Sequence, residues 1–420
     1  MVVAGGFLAL FFSAGIWHSF GVFFKPLLAE FGLARTSLSL VTSIAIVTIA
    51  ATQLVVGRVI RRFGASRTIR AGMTLMGAGL LLSGFAPGVA AISITFSLVM
   101  AAGYGFSSLA AVGDAVAQWF DRRRGTAIGI AFAGFSAGEL VLTPLIQLLI
   151  LRFSWRAAFW ILGAGLWVAV VLLLLPLLRD RPQQIAGVGE AEFPAPPGAG
   201  PEDLPACASH ADRSEHVPPR EALRTPAFWL LSATYFACGF TDFLLFFHFP
   251  IFAIGLGVPD QTAANILGAA GGVSIVGTVV FSAISDRAGR PVPLAVAYAV
   301  RAAGFLLLTW SRSIEPLYAF MGFYGFVLFA SNPITSAATR ELYGPRSFGT
   351  VYGYLIFVHY VGSFFGPLAG GMAYDRWGRY DEAFLAGAAL LAGAAACALA
   401  IRGRSRMGGK AKVAPAGART

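Results

Sequence analysis

The sequence predicts an all-α, polytopic membrane protein whose twelve transmembrane helices form two pseudo-symmetric six-helix bundles. Three observations carry that prediction. First, 57% of the 420 residues are hydrophobic and 12% are charged, with a mean hydropathy of +0.73; roughly a quarter of a soluble domain is charged. Second, the apolar residues come in blocks of about twenty, the length of helix that crosses ~30 Å of hydrocarbon. Third, the chain repeats a pattern of loop and helix motifs at a spacing of about half its length.

The blocks fall at 4–24, 38–57, 69–88, 91–116, 126–151, 157–178, 228–254, 262–285, 292–311, 316–338, 348–373 and 383–401. No Asp, Glu, Lys or Arg occurs from Met1 to Phe24. That first block is too long for a signal-peptide core and no small-residue cleavage site follows it, so it is expected to remain as a helix. Glycine, at 50 residues, is abundant inside the blocks, as expected where helices approach closely in lipid.

The net charge of +11 is unevenly distributed: 23 of the 31 Lys and Arg fall in the even-numbered loops and the C-terminal tail. By the positive-inside rule those loops and both termini are cytoplasmic, which predicts a multi-pass protein of the plasma (inner) membrane. The basicity is therefore a signal of topology, and nucleic acid is not an expected partner. Of the three cysteines, Cys238 and Cys397 fall in spans and Cys207 in a loop. No disulfide or metal site is implied.

The repeat is visible in several places. GRVIRRFGASR (57–67) follows the second span and SAISDRAGR (282–290) the eighth, with Arg61 and Asp286 225 positions apart; Phe159 of SWRAAF and Phe384 of RYDEAF are also 225 apart, and Pro144 and Pro367 are 223 apart. The expected organisation is a six-helix bundle over 1–178, a cytoplasmic linker over 179–225, a second bundle over 226–402 and a basic cytoplasmic tail over 403–420. The linker is rich in Pro, Ala, Glu and Arg and lacks hydrophobic periodicity, so it is expected to be flexible.

Two six-helix halves with Gly-x₃-[Asp]-Arg-x-Gly-type loops after spans two and eight resemble the major facilitator superfamily. The resemblance implies alternating-access transport, with the loop motif acting as a clamp whose acid pairs with an Arg and caps a neighbouring helix. Asp286, Arg287, Gly289 and Arg290 keep that pattern. The first copy, with Gly57, Arg61, Arg62 and Gly64, carries Arg61 at the acidic position, which puts a clamp of the usual polarity in doubt there. SFGVFFKPLLAEFGLARTSLSL, WFDRRRGTAIGIAFAG, FFHFPIFAIGLG and FGTVYGYLIF…GPLAGGMAYDRWGRYDEAF further resemble the bacterial relatives of monocarboxylate transporters and oxalate/formate antiporters.

No ATP-cradling loop, zinc-protease motif, nucleophile elbow or Cys/His cluster is present, so neither an enzyme activity nor a cofactor is expected. The groups to examine are titratable side chains at membrane depth, since an ionisable group in hydrocarbon costs on the order of 2.5–3.5 kcal/mol. Seven fall inside spans: His18, Asp114, Glu139, Asp242, His248, Arg301 and His359. The resemblance aligns His18 with the proton-carrying lysine of animal monocarboxylate transporters, and His359 with the substrate-binding lysine of oxalate/formate antiporters. Each is expected either to bind a carboxylate when protonated or to hydrogen-bond neutrally between helices.

Asp242 is a candidate for proton coupling, and His248, 240° away around the same helix, belongs nearer the outer end, as a gate or simply hydrogen-bonded there. Asp114 is expected to pair with the Arg122–Arg124 loop or serve an inner gate, Glu139 to pair with a polar group of the other half, and Arg301 to be paired internally or to snorkel. Tyr104, Tyr324 and Tyr360 are packing residues or hydroxyls that hold a carboxylate. Asn332 precedes Pro333 at an expected bend. The arginine that monocarboxylate transporters carry on span eight is missing, its place falling near Thr278.

The expected function is secondary active transport of a small organic anion, monocarboxylate-like, together with protons. The alternatives are organic-anion exchange, efflux of hydrophobic compounds, and a transporter-shaped receptor.

Overall fold

The structure, a computed structural model, describes residues 1–120, 124–180 and 218–410. Twelve helices of membrane-spanning length run through the described residues: α1 Val2–Phe31, α2 Arg35–Phe63, α3 Ala65–Gly84, α4 Val89–Ala117, α5 Gly125–Arg152, α6 Trp155–Leu177, α7 Pro226–Gly255, α8 Asp260–Ala288, α9 Pro291–Trp310, α10 Glu315–Gly344, α11 Ser347–Trp377 and α12 Asp381–Ile401. Eleven are apolar enough over their length to cross a membrane. The exception is α3, whose first turns carry Arg67 and Arg70. Hydrocarbon offers the backbone no hydrogen bonds, so a crossing segment must satisfy its own, and no strand occurs among the described residues.

The observed ends lie within a few residues of the expected ones, with three instructive differences and a break in α10 beside the expected bend. The first helix continues beyond residue 24 to Phe31, passing through a 3₁₀ stretch at Ser19–Phe23. α10 breaks in a turn at 328–330; Pro333 has no N–H for the Phe329 carbonyl, which accepts instead from Asn332 N at 3.2 Å. The last helix runs on to Lys410, into the segment expected to be tail. A helical turn, Pro219–Ala222, lies within the expected linker. The rest of that linker (181–217) and residues 411–420 lie outside the described residues.

The repeat read from the loops reappears in the packing. In the first half α5 lies against α1, and a Cβ on Gly134 or Gly138 would sit 2.1 Å from the carbonyl oxygens of Phe7 and Phe11. In the second half α11 lies against α7 in the same way, Gly362 and Gly366 meeting the Phe236 and Phe240 carbonyls at 2.1 Å. Glycine is required at all four because nothing larger lets the backbones meet.

The loop motifs also correspond. Gly64 and Gly289 both take positive φ, 88° and 81°, which favours glycine. In the second half Arg290 bridges Asp286 at 2.6 Å and Glu341 of α10 at 2.8 Å. In the first half the acid comes from elsewhere: Asp180, just after α6, accepts from the Ser66 N–H at 2.8 Å at the start of α3. Arg61, Arg62 and Arg287 are exposed.

With twelve crossings, both ends of the core lie on one side, here termed the terminal side. On the opposite, far side the halves are closed. The Gly371 stripe of α11 packs on α2, a Cβ there falling 2.6 Å from Ser39 Oγ, and Gly268 and Gly271 of α8 pack on Pro144 and Glu139 of α5 at 2.9 Å. The same helix faces continue toward the terminal side through Gly353 and Gly349 of α11 and Gly129 and Gly125 of α5. There no atom of the described residues lies within 4 Å of an added Cβ. The two bundles are therefore packed together on the far side and splayed apart on the terminal side.

Gly138→Ala is expected to destabilise the protein by about 1–3 kcal/mol through overpacking, whereas Gly129→Ala leaves it unchanged; thermal unfolding in detergent compares them.

Candidate functional site

His18 is the last residue of the regular first segment of α1, where the helix tightens into its 3₁₀ turn. Ser19 supports that change by donating to the Gly15 carbonyl at 2.5 Å and bonding Thr143 of α5 at 2.7 Å. The imidazole is 3% exposed. Phe246 of α7 stacks on it at 4.3 Å and Phe135 of α5 meets it edge-on at 4.6 Å. Its Nδ1 lies 3.9 Å from Oε2 of Glu139, and neither Nδ1 nor either carboxyl oxygen of Glu139 has a hydrogen-bond partner.

The expected pairing of Glu139 with a polar group of the other half is not seen among the described residues: its methylenes lie against Gly271, and its carboxyl oxygens have no hydrogen-bond partner. Its ionisable neighbours are His18 in its own half and Asp242 in the other. The signal that could have placed it beside His18 is the Gly134–Gly138 stripe immediately before it, which brings α5 onto α1.

His359 of α11 approaches from the second half. Its Nδ1 faces the Tyr235 carbonyl at 3.3 Å. A carbonyl only accepts, so Nδ1 carries the proton and Nε2 is the atom left to take a second one. Phe243 neighbours both histidines, its ring 6.1 Å from His18 and 6.2 Å from His359. The structure thus gathers both imidazoles, one from each half, around a single aromatic ring.

The other candidates distribute unequally. Tyr104 stacks on Trp17 at 5.6 Å, and Tyr360 reaches Gln53 of α2, across the boundary between halves. Asn332 accepts from the Tyr235 hydroxyl at 3.3 Å, which also bonds Tyr352 at 2.9 Å. Tyr324 is fully buried inside the second half, its ring 4.7 Å from Phe320 and 5.5 Å from the Arg301 guanidinium. Asp114 accepts from Gln118 at 2.9 Å; the side chains of Arg122–Arg124 lie outside those described.

Asp242 is not alone. Arg301 of α9, fully buried, donates to its Oδ1, to Thr241 Oγ1 at 2.8 Å and to Cys238 Sγ at 3.2 Å. The cysteine in turn lies 3.3 Å from Asp242 Oδ2. Of the two expectations for Arg301, internal pairing is the one seen. Its partner lies 59 positions away on another helix, a pairing that no local pattern announces.

His248 lies at the far closure. Its Nε2 donates to the Pro367 carbonyl at 2.8 Å and lies 3.1 Å from Ser39 of the first half, while Nδ1 accepts from Tyr380 at 3.1 Å. Burial pushes the Tyr380 hydroxyl well above its ordinary range, so it keeps its proton and donates. Arg35 donates to the same hydroxyl and stacks on Tyr374 at 3.2 Å, and Asp375 caps the start of α2 through the Arg35 and Thr36 N–H groups at 3.0 and 2.7 Å. Lys25–Asp260, at 2.6 Å, adds a rim contact between α1 and α8.

Paired helical bundles around buried titratable groups, closed on one side and splayed on the other, define a polytopic membrane transporter. The chain belongs to the Major Facilitator Superfamily, whose family profile matches residues 6–367. It is 26% identical over 414 residues to human monocarboxylate transporter 12, covering 92% of this chain and 77% of that protein. It is 26% identical over 398 residues to bovine monocarboxylate transporter 13, covering 94% and 87%, and 24% identical over 383 residues to the uncharacterised MFS-type transporter YcxA of Bacillus subtilis strain 168, covering 85% and 84%. Among solved structures it resembles a bacterial homologue of the human lysosomal transporter Spinster in its inward-facing, unoccupied conformation, with TM-score 0.76 and 18% identity over 99% of this chain and 98% of that one. The protein is a monocarboxylate-transporter-like member of the superfamily, a transporter and not an enzyme.

Removing one member of the buried ion pair strands the other: Asp242→Ala and Arg301→Met are each expected to cost about 3–5 kcal/mol, with the double variant recovering much of the loss. Chemical or thermal unfolding of the three variants measures the cycle.

Proposed function

We propose that the protein is a proton-coupled transporter of a small, monocarboxylate-like organic anion, working by alternating access of its two bundles in the plasma membrane, with both termini and the splayed side cytoplasmic. The observation that carries this reading is the charge balance at membrane depth. The one buried arginine among the described residues, Arg301, is already neutralised by Asp242, so no permanent cation is available to hold an anion. The positive charge must be added, and His18 and His359, both neighbours of Phe243, are the groups that can add it.

Such a site binds the carboxylate only once a proton has arrived, which makes proton and anion travel together. The relatives named as monocarboxylate transporters support the substrate class, and the excess of Lys and Arg in the even-numbered loops supports the orientation. The rocking of one half against the other about a midplane site is the transport mode that two-repeat architectures support.

A second reading has its own observation. His18 is ringed by Phe135, Phe243, Phe246 and Phe329, a lining that suits an apolar ligand and hence efflux of hydrophobic compounds. Purified protein in liposomes under an imposed inward proton gradient separates the two, with a panel of labelled monocarboxylates as probes. The expected result is gradient-driven accumulation of at least one acid, reduced to background in His18→Ala and His359→Ala. Folded protein that accumulates no acid, or that accumulates one equally well in both variants, overturns the proton-coupled reading.

A further inference from the structure

Three buried polar atoms meet without hydrogen bonds at the α1–α5 contact: Nδ1 of His18 and both carboxyl oxygens of Glu139. The residues are 3% and 0% exposed. An unpaired carboxylate in such surroundings costs several kcal/mol, and so does an unpaired imidazolium. One proton between them removes both costs, held either as a neutral imidazole beside a carboxylic acid or as an ion pair. The 3.9 Å separation exceeds a hydrogen bond by about 1 Å, within reach of a small side-chain movement.

Two titratable groups of the second half lie near the pair, His359 toward His18 and Asp242 toward Glu139. Phe246 and Phe135 cover the imidazole, and Phe329 of α10 lies 6.2 Å from it. From α8, Gly271 lies against the Glu139 methylenes. On α7, Asp242 is engaged by Arg301, and on α11, His359 also neighbours Phe243. From α4, Tyr104 meets Trp17. No Lys or Arg among the described residues forms an ion pair with Glu139.

We infer that Glu139 is a positioning residue that shares the transported proton with His18, and that the α5–α8 seam controls when that proton can leave. This rests on the proton-coupled reading above and adds to it a second carrier and a gate. The step is a single transfer: a proton passes from the Glu139 carboxyl to Nδ1 of His18, leaving a carboxylate and an imidazolium, with no other bond changed.

Glu139 lies in the part of the seam that is shut in this structure, where Gly271 presses on its methylenes and Ser274 bonds Ser136 at 3.1 Å. When the halves part on the far side, the Gly271 backbone withdraws and water reaches the carboxyl. With the seam shut, the proton is confined to the pair, which is neutral overall wherever that proton sits and, without it, carries a negative charge that repels an anion.

The test needs no substrate. Protein with ¹⁵N-labelled histidine in lipid nanodiscs is titrated by NMR, with the His18 ring signals assigned from a His18→Gln sample. In Glu139→Gln the titration curve of His18 is expected to be displaced by roughly 1 pH unit or more, with that of His248 unmoved; Glu139→Asp, which keeps the charge on a shorter arm, gives a smaller displacement and serves if the first variant does not fold. A His18 curve unchanged in these variants overturns the inference, even if acid transport is proton-driven. A displaced curve in a protein that moves no acid leaves the proton pair standing and removes the transport reading instead.

Discussion

Within hydrocarbon no water is available to complete a hydrogen bond, and every polar group must find its partner inside the protein. That constraint accounts for much of this structure. It makes each crossing a helix, and it turns hydroxyls back onto their own helices, as Ser83 does to Gly79 at 2.7 Å and Thr309 to Phe305 at 3.0 Å. It also binds Arg301 to Asp242, since either charge alone is too costly to bury. Among the buried side-chain atoms left without a partner, those of His18 and Glu139 belong to an acid and a base that face each other at 3.9 Å.

The contacts fall into two kinds with different mechanical consequences. Within each half, α1 with α5 and α7 with α11 meet backbone to backbone through paired glycines, an arrangement that cannot slide without steric clash. Between the halves much of the far closure is made by side chains: Lys25 with Asp260, Ser39 with His248, Asp375 with the start of α2. The half-exposed Lys25–Asp260 pair contributes little. Between the halves close glycine packing is confined to the far side and the midplane, and the open space along the terminal ends of α5 and α11 marks where the bundles have parted.

Much of the fold was legible beforehand because its causes are local. Block length, charge-poor runs and the 225-residue repeat act through hydropathy and loop chemistry, which need no knowledge of neighbours. The positions of the turns were less legible. Nothing in the composition of 15–32 shows that α1 passes through 3₁₀ geometry and continues past Lys25 to Phe31. Likewise the acid missing from the first loop motif, where Arg61 stands, is supplied by Asp180, 114 positions beyond Ser66. Sequence spacing cannot join such residues.

The site divides along the same line. By itself the sequence determined that a handful of titratable groups sit at membrane depth, because each interrupts an apolar run, and it singled out His18 and His359. Only the tertiary structure decided their company: that Phe243 neighbours both imidazoles, that Asp242 is committed to Arg301, and that Glu139 faces His18. The physical reason is that burial cost is a property of one residue in one helix, whereas neutralising a charge depends on which helix face is brought against it, and that is set by the glycine contacts that fix how the helices pack.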